Sequence, residues 1–285
     1  MSSDPVQKTP ADAVPESWVH WVAWELLPEG SRDDLSVLFR FVAAVRAVAD
    51  HPAAGSERKE AALAELASPF AVGDAPAQTA APEAIALAAL LGRRGIESHP
   101  AWQILQAAGQ DLRKTRYRDW SELLTWCRFA AVPVATLGAA LLDLNAANAR
   151  RFASLALAVQ LLEIVRRASS QARWLGRIYL PERWFSEVGA DISDLEFARI
   201  SDPLRKVRGR ALDQAGVLLD EAVGAGSLGL DGWRLRAAAR ALMAETRVVI
   251  ERERHMAEHG ASARLPAFNR RMIKGRAVFG AFFCR

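Results

Sequence analysis

Side chains able to do chemistry fall at few places in this sequence, and each place has a plain structural use as well. Arg46, Arg166 and Arg167 carry guanidinium groups, which grip phosphate oxygens bidentately without a metal; the same three can instead pair internally with Asp50 and Glu163. Asp111 and Lys114 are three residues apart, the spacing of an ordinary helix-surface ion pair or of a polar pair offered to a ligand. His255 and His259 share one helix face, but no third ligand type recurs near them in a charged, solvated stretch. Cys127 lies inside an apolar stripe and reads as a small core residue, not a nucleophile. No serine–histidine–acid set can be assembled, and there is no glycine-rich phosphate loop.

The elements that must position these groups are helices. Apolar residues recur at i, i+3, i+4 and i+7 from Trp18 almost to the end, while β-branched alternation is sustained nowhere. The periodicity predicts helices near 16–27, 32–50, 57–67, 82–93, 100–112, 119–144, 147–173, 194–223 and 231–259, joined by Pro, Gly or Asp-rich segments. Trp120, Leu123, Leu124, Cys127, Ala130, Ala131, Val134 and Leu137 form one wide stripe, and 152–165 is apolar nearly all round, so both segments are expected at the centre. The Pro- and Ala-rich piece 68–82 reads as a surface loop within a single domain, and no repeat period is visible.

Of 285 residues, 51% are hydrophobic and 25% charged, as in a folded globular protein. No run of 18 uninterrupted apolar residues suggests a membrane-crossing helix. Residues 1–15 read as a disordered lead without the order of a signal peptide, and 16–285 as the helical domain. Cys127 and Cys284 are too far apart, and too far from histidines, to suggest a disulfide framework or a zinc site, and a reducing cytosol follows. Net charge is +4, but nearly all of the basic side is arginine. Together with the alanine enrichment this reflects coding bias, so no nucleic-acid partner is expected. The charge does permit phosphorylated small molecules and an anionic membrane surface; Trp18, Trp21 and Val22 and the tail 277–285 offer apolar contacts for the latter.

Two blocks resemble the squalene/phytoene synthase family. The first runs Gln110-Asp111-Leu-Arg-Lys114-Thr-Arg-Tyr117 and continues through Trp126-Cys127-Arg to Ala131-Val-Pro133-Val; it is most similar to the hydroxysqualene synthase branch of hopanoid biosynthesis. The second holds Val159-Gln160-Leu-Leu and then Gly176-Arg177-Ile-Tyr179-Leu-Pro181. The resemblance covers roughly 16–225 with the spacing between blocks kept. It implies an all-α, single-domain helical bundle of the isoprenoid synthase type around a central cavity. It also implies head-to-head prenyl diphosphate chemistry, in which Mg²⁺ held by two aspartate-rich motifs on facing helices draws off diphosphate.

Both motifs depart from the family pattern. Where the first should read Arg-x-x-Asp-Asp-x-x-Asp, this chain has Arg46-Ala-Val-Ala49-Asp50-His-Pro52-Ala53, and Pro52 should end the helix early. Where the second should bring acids, the run is Glu163-Ile-Val-Arg166-Arg167-Ala-Ser-Ser170-Gln171-Ala-Arg173. The tyrosine that the family places before the cysteine is Trp126. The expectation is a catalytically degenerate member that binds a prenyl diphosphate or related isoprenoid lipid, or that partners an active paralogous synthase. The alternatives are an active prenyl diphosphate transferase, or hydroxysqualene synthase-like enzyme, with arginines in place of metal ligands, and a respiratory-complex assembly factor. The expected ligand-binding set is Arg46, Asp50, Gln110, Asp111, Lys114, Tyr117, Gln160, Glu163, Arg166, Arg167 and Arg177, with no metal ligands. Mg²⁺ is expected only under the enzyme alternative. The expected location is the cytoplasm, with peripheral contact to the inner membrane as its extension.

Overall fold

A computed structural model describes residues 21–71, 80–197, 201–224, 230 and 232–259. The expected N-terminal lead, Trp18, the side chains of Trp21, Val22 and His259, and the tail 277–285 lie outside the described residues. The helices run in order α1 (Trp21–Leu26), α2 (Glu29–Ala49), α3 (Ser56–Ala67), α4 (Pro82–Arg94), α5 (His99–Arg113), α6 (Trp120–Leu141), α7 (Ala146–Leu175), α8 (Glu182–Val188), α9 (Ser193–Glu196), α10 (Asp202–Val223) and α11 (Trp233–His259). Among the described residues there is no strand, only one isolated parallel bridge between Arg116 and Ile178.

Local chemistry sets the ends of the central helices. The side chain of Asp119 accepts the Glu122 amide at 3.0 Å to start α6, and that of Asn145 accepts the Asn148 amide at 2.9 Å to start α7. Gly176 stops α7 in the left-handed conformation (φ 62°), so the Arg177 amide turns back to the Gln171 carbonyl at 3.1 Å. Residues with a β-carbon adopt that conformation only at a cost, and here it aims Arg177 back into the protein. α6 and α7 lie against one another, closely enough that a Cβ on Gly138 would sit 2.9 Å from the Phe152 ring.

Three expectations need correction. The stretch 194–223 is two helices, because Ser201 accepts the Leu204 amide at 3.3 Å and restarts the chain as α10 with a proline in its first turn. α8 went unseen, since seven residues between Pro181 and Gly189 are too few to display a period. Part of the segment 68–82 is not surface: Ser68–Phe70 is a 3₁₀ turn whose Phe70 is buried edge-on against Phe41, ring centroids 5.4 Å apart. α6 is long and apolar enough by length and mean hydropathy to cross a membrane, although it holds no run of 18 uninterrupted apolar residues. Half of its most apolar window is buried, and the helix packs against α5 and α7.

The buried side chains form two clusters. One gathers α1 to α5 with parts of α6 and α11, the other α6 to α10 with Ile250 of α11. Where the clusters meet they leave a cavity of about 220 Å³ walled by both, for example by Leu38, Val42 and Ile104 on one side and Ala131, Leu155 and Val159 on the other. Its lining residues on α7 run from Asn148 to Gln171, which spans about 35 Å of helix. The cavity is long and mostly apolar.

Candidate functional site

The polar residues of the cavity gather toward one end, where α2 and α7 face each other as their sequence positions suggested. α2 ends at Ala49 and leaves Asp50 as its C-cap, two residues before Pro52. From α7, the Gln160 side-chain oxygen accepts from the Arg46 guanidinium at 2.9 Å. Asp50 is claimed from both sides: Arg177 donates to its Oδ1 at 2.7 Å and Arg167 to its Oδ2 at 3.2 Å. Arg177, only 4% exposed, also donates to the Ala49 carbonyl at 2.7 Å, answering the negative end of α2.

Glu163 lines the same end. Burial pushes its carboxyl above the usual range, opposed by Arg166, Arg46 and Arg167. Arg166 itself is exposed; it pairs with Glu163 at 3.0 Å and reaches Glu253 of α11 at 3.7 Å, so it does not line the cavity. Helical phase explains why the neighbouring arginines differ. Gln160, Glu163, Arg167 and Gln171 stand at i, i+3, i+7 and i+11 on one stripe, whereas Arg166 is a hundred degrees off Arg167.

Asp50 and Glu163, the acidic residues at the two motif positions, are not free to hold a Mg²⁺ ion. Octahedral Mg²⁺ needs carboxylate oxygens that are free to coordinate, yet both oxygens of Asp50 are occupied by guanidinium groups and Glu163 holds Arg166. Among the described residues no three His, Cys, Asp or Glu side chains converge as a metal-binding group.

Asp111 of α5 completes the polar end, in a different role from the one its spacing suggested. It makes no pair with Lys114, whose ammonium bonds Glu122 at 2.5 Å and lies over the Tyr117 ring, 4.8 Å from its centre. Asp111 turns inward to the cavity wall instead. Burial pushes its carboxyl up to about 7, against the influence of Arg177, the Tyr179 hydroxyl and Arg46. Around it stand the rings of Tyr117, Trp126 and Tyr179: Tyr117 stacks on Tyr179 at 5.5 Å, and Trp126 lies 4.4 Å from Tyr179. Asp111 Oδ1, Gln171 Oε1, Trp126 Nε1 and Tyr117 Oη are buried without a hydrogen-bond partner.

Of the residues singled out from sequence, Arg46, Asp50, Asp111, Gln160 and Glu163 line the cavity. Arg167 and Arg177 stand behind it and grip Asp50, and Tyr117 is sealed in the aromatic layer. Gln110 and Lys114 belong instead to a separate outer cleft with Arg118 and Glu122, which touches the cavity only through Trp126. Sequence reasoning passed over Tyr179 and Gln171, although the latter is on the Gln160 stripe. It also passed over Asn148 and Arg151 toward the opposite end of the cavity. Cys127 is buried as expected, and burial raises its thiol far above the ordinary range.

Comparison with known proteins agrees with this architecture. Residues 16–270 match the squalene/phytoene synthase family model. The hydroxysqualene synthase of Rhodopseudomonas palustris is 29% identical over 202 residues, which are 70% of this chain and 66% of that protein, so the match leaves about a third of the relative uncovered. Among solved structures, squalene synthase HpnC from Alicyclobacillus acidocaldarius superposes with a TM-score of 0.65 at 22% identity, covering 88% of this chain and 99% of that one. A dehydrosqualene synthase in complex with ligand superposes with a TM-score of 0.73 at 17% identity over 93% and 91% of the two chains. These two likenesses show a shared all-α fold. With the family model matching most of its length, and with both motif blocks placed on one cavity, the chain belongs to the squalene/phytoene synthase family of isoprenoid metabolism, near its hydroxysqualene synthase members.

Proposed function

We propose that this protein binds a linear isoprenoid in its long apolar cavity and does not carry out the Mg²⁺-assisted ionisation of a prenyl diphosphate. The observation that carries this reading is the double claim on Asp50. The one aspartate of the first motif that this chain keeps has each oxygen bonded to a different arginine, and Glu163 across from it is paired with Arg166. Loss of diphosphate needs charge neutralisation that strengthens in the transition state, which paired metal ions supply and prepaired guanidinium groups do not. The cavity, in contrast, retains the length and the apolar lining that a prenyl chain requires. Such a protein serves as a binder or as a partner of an active synthase.

The test is release of inorganic diphosphate from farnesyl or presqualene diphosphate, with Mg²⁺ and with EDTA. No release above background in either condition is expected, while an apolar fluorescent probe is still taken up and displaced by prenyl compounds. Mg²⁺-dependent release would establish the enzyme alternative instead.

A further inference from the structure

The polar end of the cavity carries an unbalanced set of hydrogen-bonding atoms, and the imbalance has a sign. Two buried acceptors, Asp111 Oδ1 and Gln171 Oε1, have no donor, and one buried donor of the cavity wall, Trp126 Nε1, has no acceptor. Gln171 is 7% exposed and Trp126 4%, so bulk water does not satisfy either side chain. Buried polar atoms left in this state are costly, and a ligand recovers that cost by supplying the missing partners. We infer that this end of the cavity recognises the hydroxyl group of an isoprenoid alcohol, with Asp111 and Gln171 as acceptors for its proton and Trp126 as a donor to its oxygen. The inference rests on the isoprenoid-binding reading above and names the head group within it.

Other head groups fit the same atoms less well. A diphosphate presents oxygens that accept only, so it leaves both orphan acceptors unpartnered. It would also enter beside three carboxyl groups of the wall, those of Asp50, Asp111 and Glu163, faced by the single guanidinium of Arg46. An ammonium head would donate, but it has no lone pair with which to accept from Trp126 Nε1. An ether or a hydrocarbon donates nothing. A hydroxyl donates once and accepts at its oxygen without bringing charge into a mostly apolar cavity.

The experiment uses the full chain at pH 7.5 in EDTA, with farnesol, farnesyl methyl ether and farnesyl diphosphate as probes and tryptophan fluorescence as the readout. Farnesol is expected to bind at least tenfold more tightly than either of the others. Gln171→Leu is expected to lower farnesol affinity about tenfold and leave the ether unchanged, the pattern of a lost hydrogen bond and not of a damaged cavity. Asp111→Asn, which can turn its amide oxygen to the same hydroxyl, should keep most of the affinity. Ether binding equal to that of farnesol would overturn the inference, because water would then be filling the polar end. Diphosphate binding as tight as farnesol would overturn it as well. Binding of none of the three would bring down the isoprenoid-binding reading itself, an outcome distinct from loss of selectivity among ligands that bind.

Discussion

Replacing Asp111 by Asn should change how the stability of this protein depends on pH. The folded state raises the Asp111 carboxyl to about 7, chiefly through burial, whereas in the unfolded chain it titrates near its ordinary value of 3.8. Between those limits the folded state binds a proton that the unfolded state has lost, so stability falls as pH rises from about 4 to about 7 and then levels off. From pH 5 to pH 8 the folded carboxyl ionises across roughly two pH units in which the unfolded one is already charged; at 1.36 kcal/mol per unit the Asp111 contribution is a loss of about 2–3 kcal/mol. Arg177, Tyr179, Asp50 and Arg46 act on the same carboxyl, and they are the same in both proteins, so the difference between wild type and Asp111→Asn isolates the titration. Urea unfolding of both at half-unit steps from pH 5 to pH 8 is the assay. The gap between the two curves should shift in favour of the variant by about 2–3 kcal/mol between pH 5 and pH 8. Parallel curves, separated by the same amount at every pH, would show that Asp111 is solvated and ordinary.

Other perturbations follow from the same geometry. Arg177→Met leaves Asp50 half-paired and the Ala49 carbonyl without its buried donor. It should cost about 3–5 kcal/mol in chemical denaturation, part of which Asp50→Asn in the same chain recovers. Gly138→Ala drives a methyl to 2.9 Å from the Phe152 ring and should destabilise by about 1–3 kcal/mol, with Phe152→Leu relieving most of it. In a Cys284→Ser background, Cys127 should resist thiol reagents at pH 8 until urea opens the core, since burial holds its thiol protonated. Rapid labelling of the native protein would contradict its place in the core.

The helical fold could be read from the sequence because its signals are local. The apolar stripe of 120–137 and the nearly all-apolar 152–165 are visible as period alone, and they became α6 and the middle of α7. The break at Pro52 was equally local, since proline restricts the residue before it whatever the surroundings. Asp111 shows the opposite case: its spacing to Lys114 is that of an ion pair, but Glu122 takes the lysine and Asp111 turns inward beside Tyr179, a residue 68 positions further on. Arg166 and Arg167 fall between the two, for helical phase would have separated them had it been applied to Gln160 and Glu163 together. The grip on Asp50 by Arg177 was out of reach, because it follows from the left-handed turn at Gly176 and from where α2 happens to stop.

Between the two motif blocks lies a short main-chain seam. The Ile178 amide donates to the Thr115 carbonyl at 2.9 Å, that of Glu182 to Tyr117 at 2.9 Å and that of Arg183 to Arg118 at 3.0 Å. Joining positions some sixty residues apart in an open chain costs roughly 3–4 kcal/mol of closure entropy, so the seam should form late, once the α6–α7 hairpin has brought its two free ends together. Asp111 precedes one side of the seam, and Arg177 and Tyr179 belong to the other. The polar end of the cavity therefore has no counterpart in a partly folded chain: it comes into being as the hairpin latches. A ligand seated there contacts both sides and should slow the latch's opening, so that the backbone amides of Ile178, Glu182 and Arg183 exchange with deuterium together and more slowly when the cavity is filled.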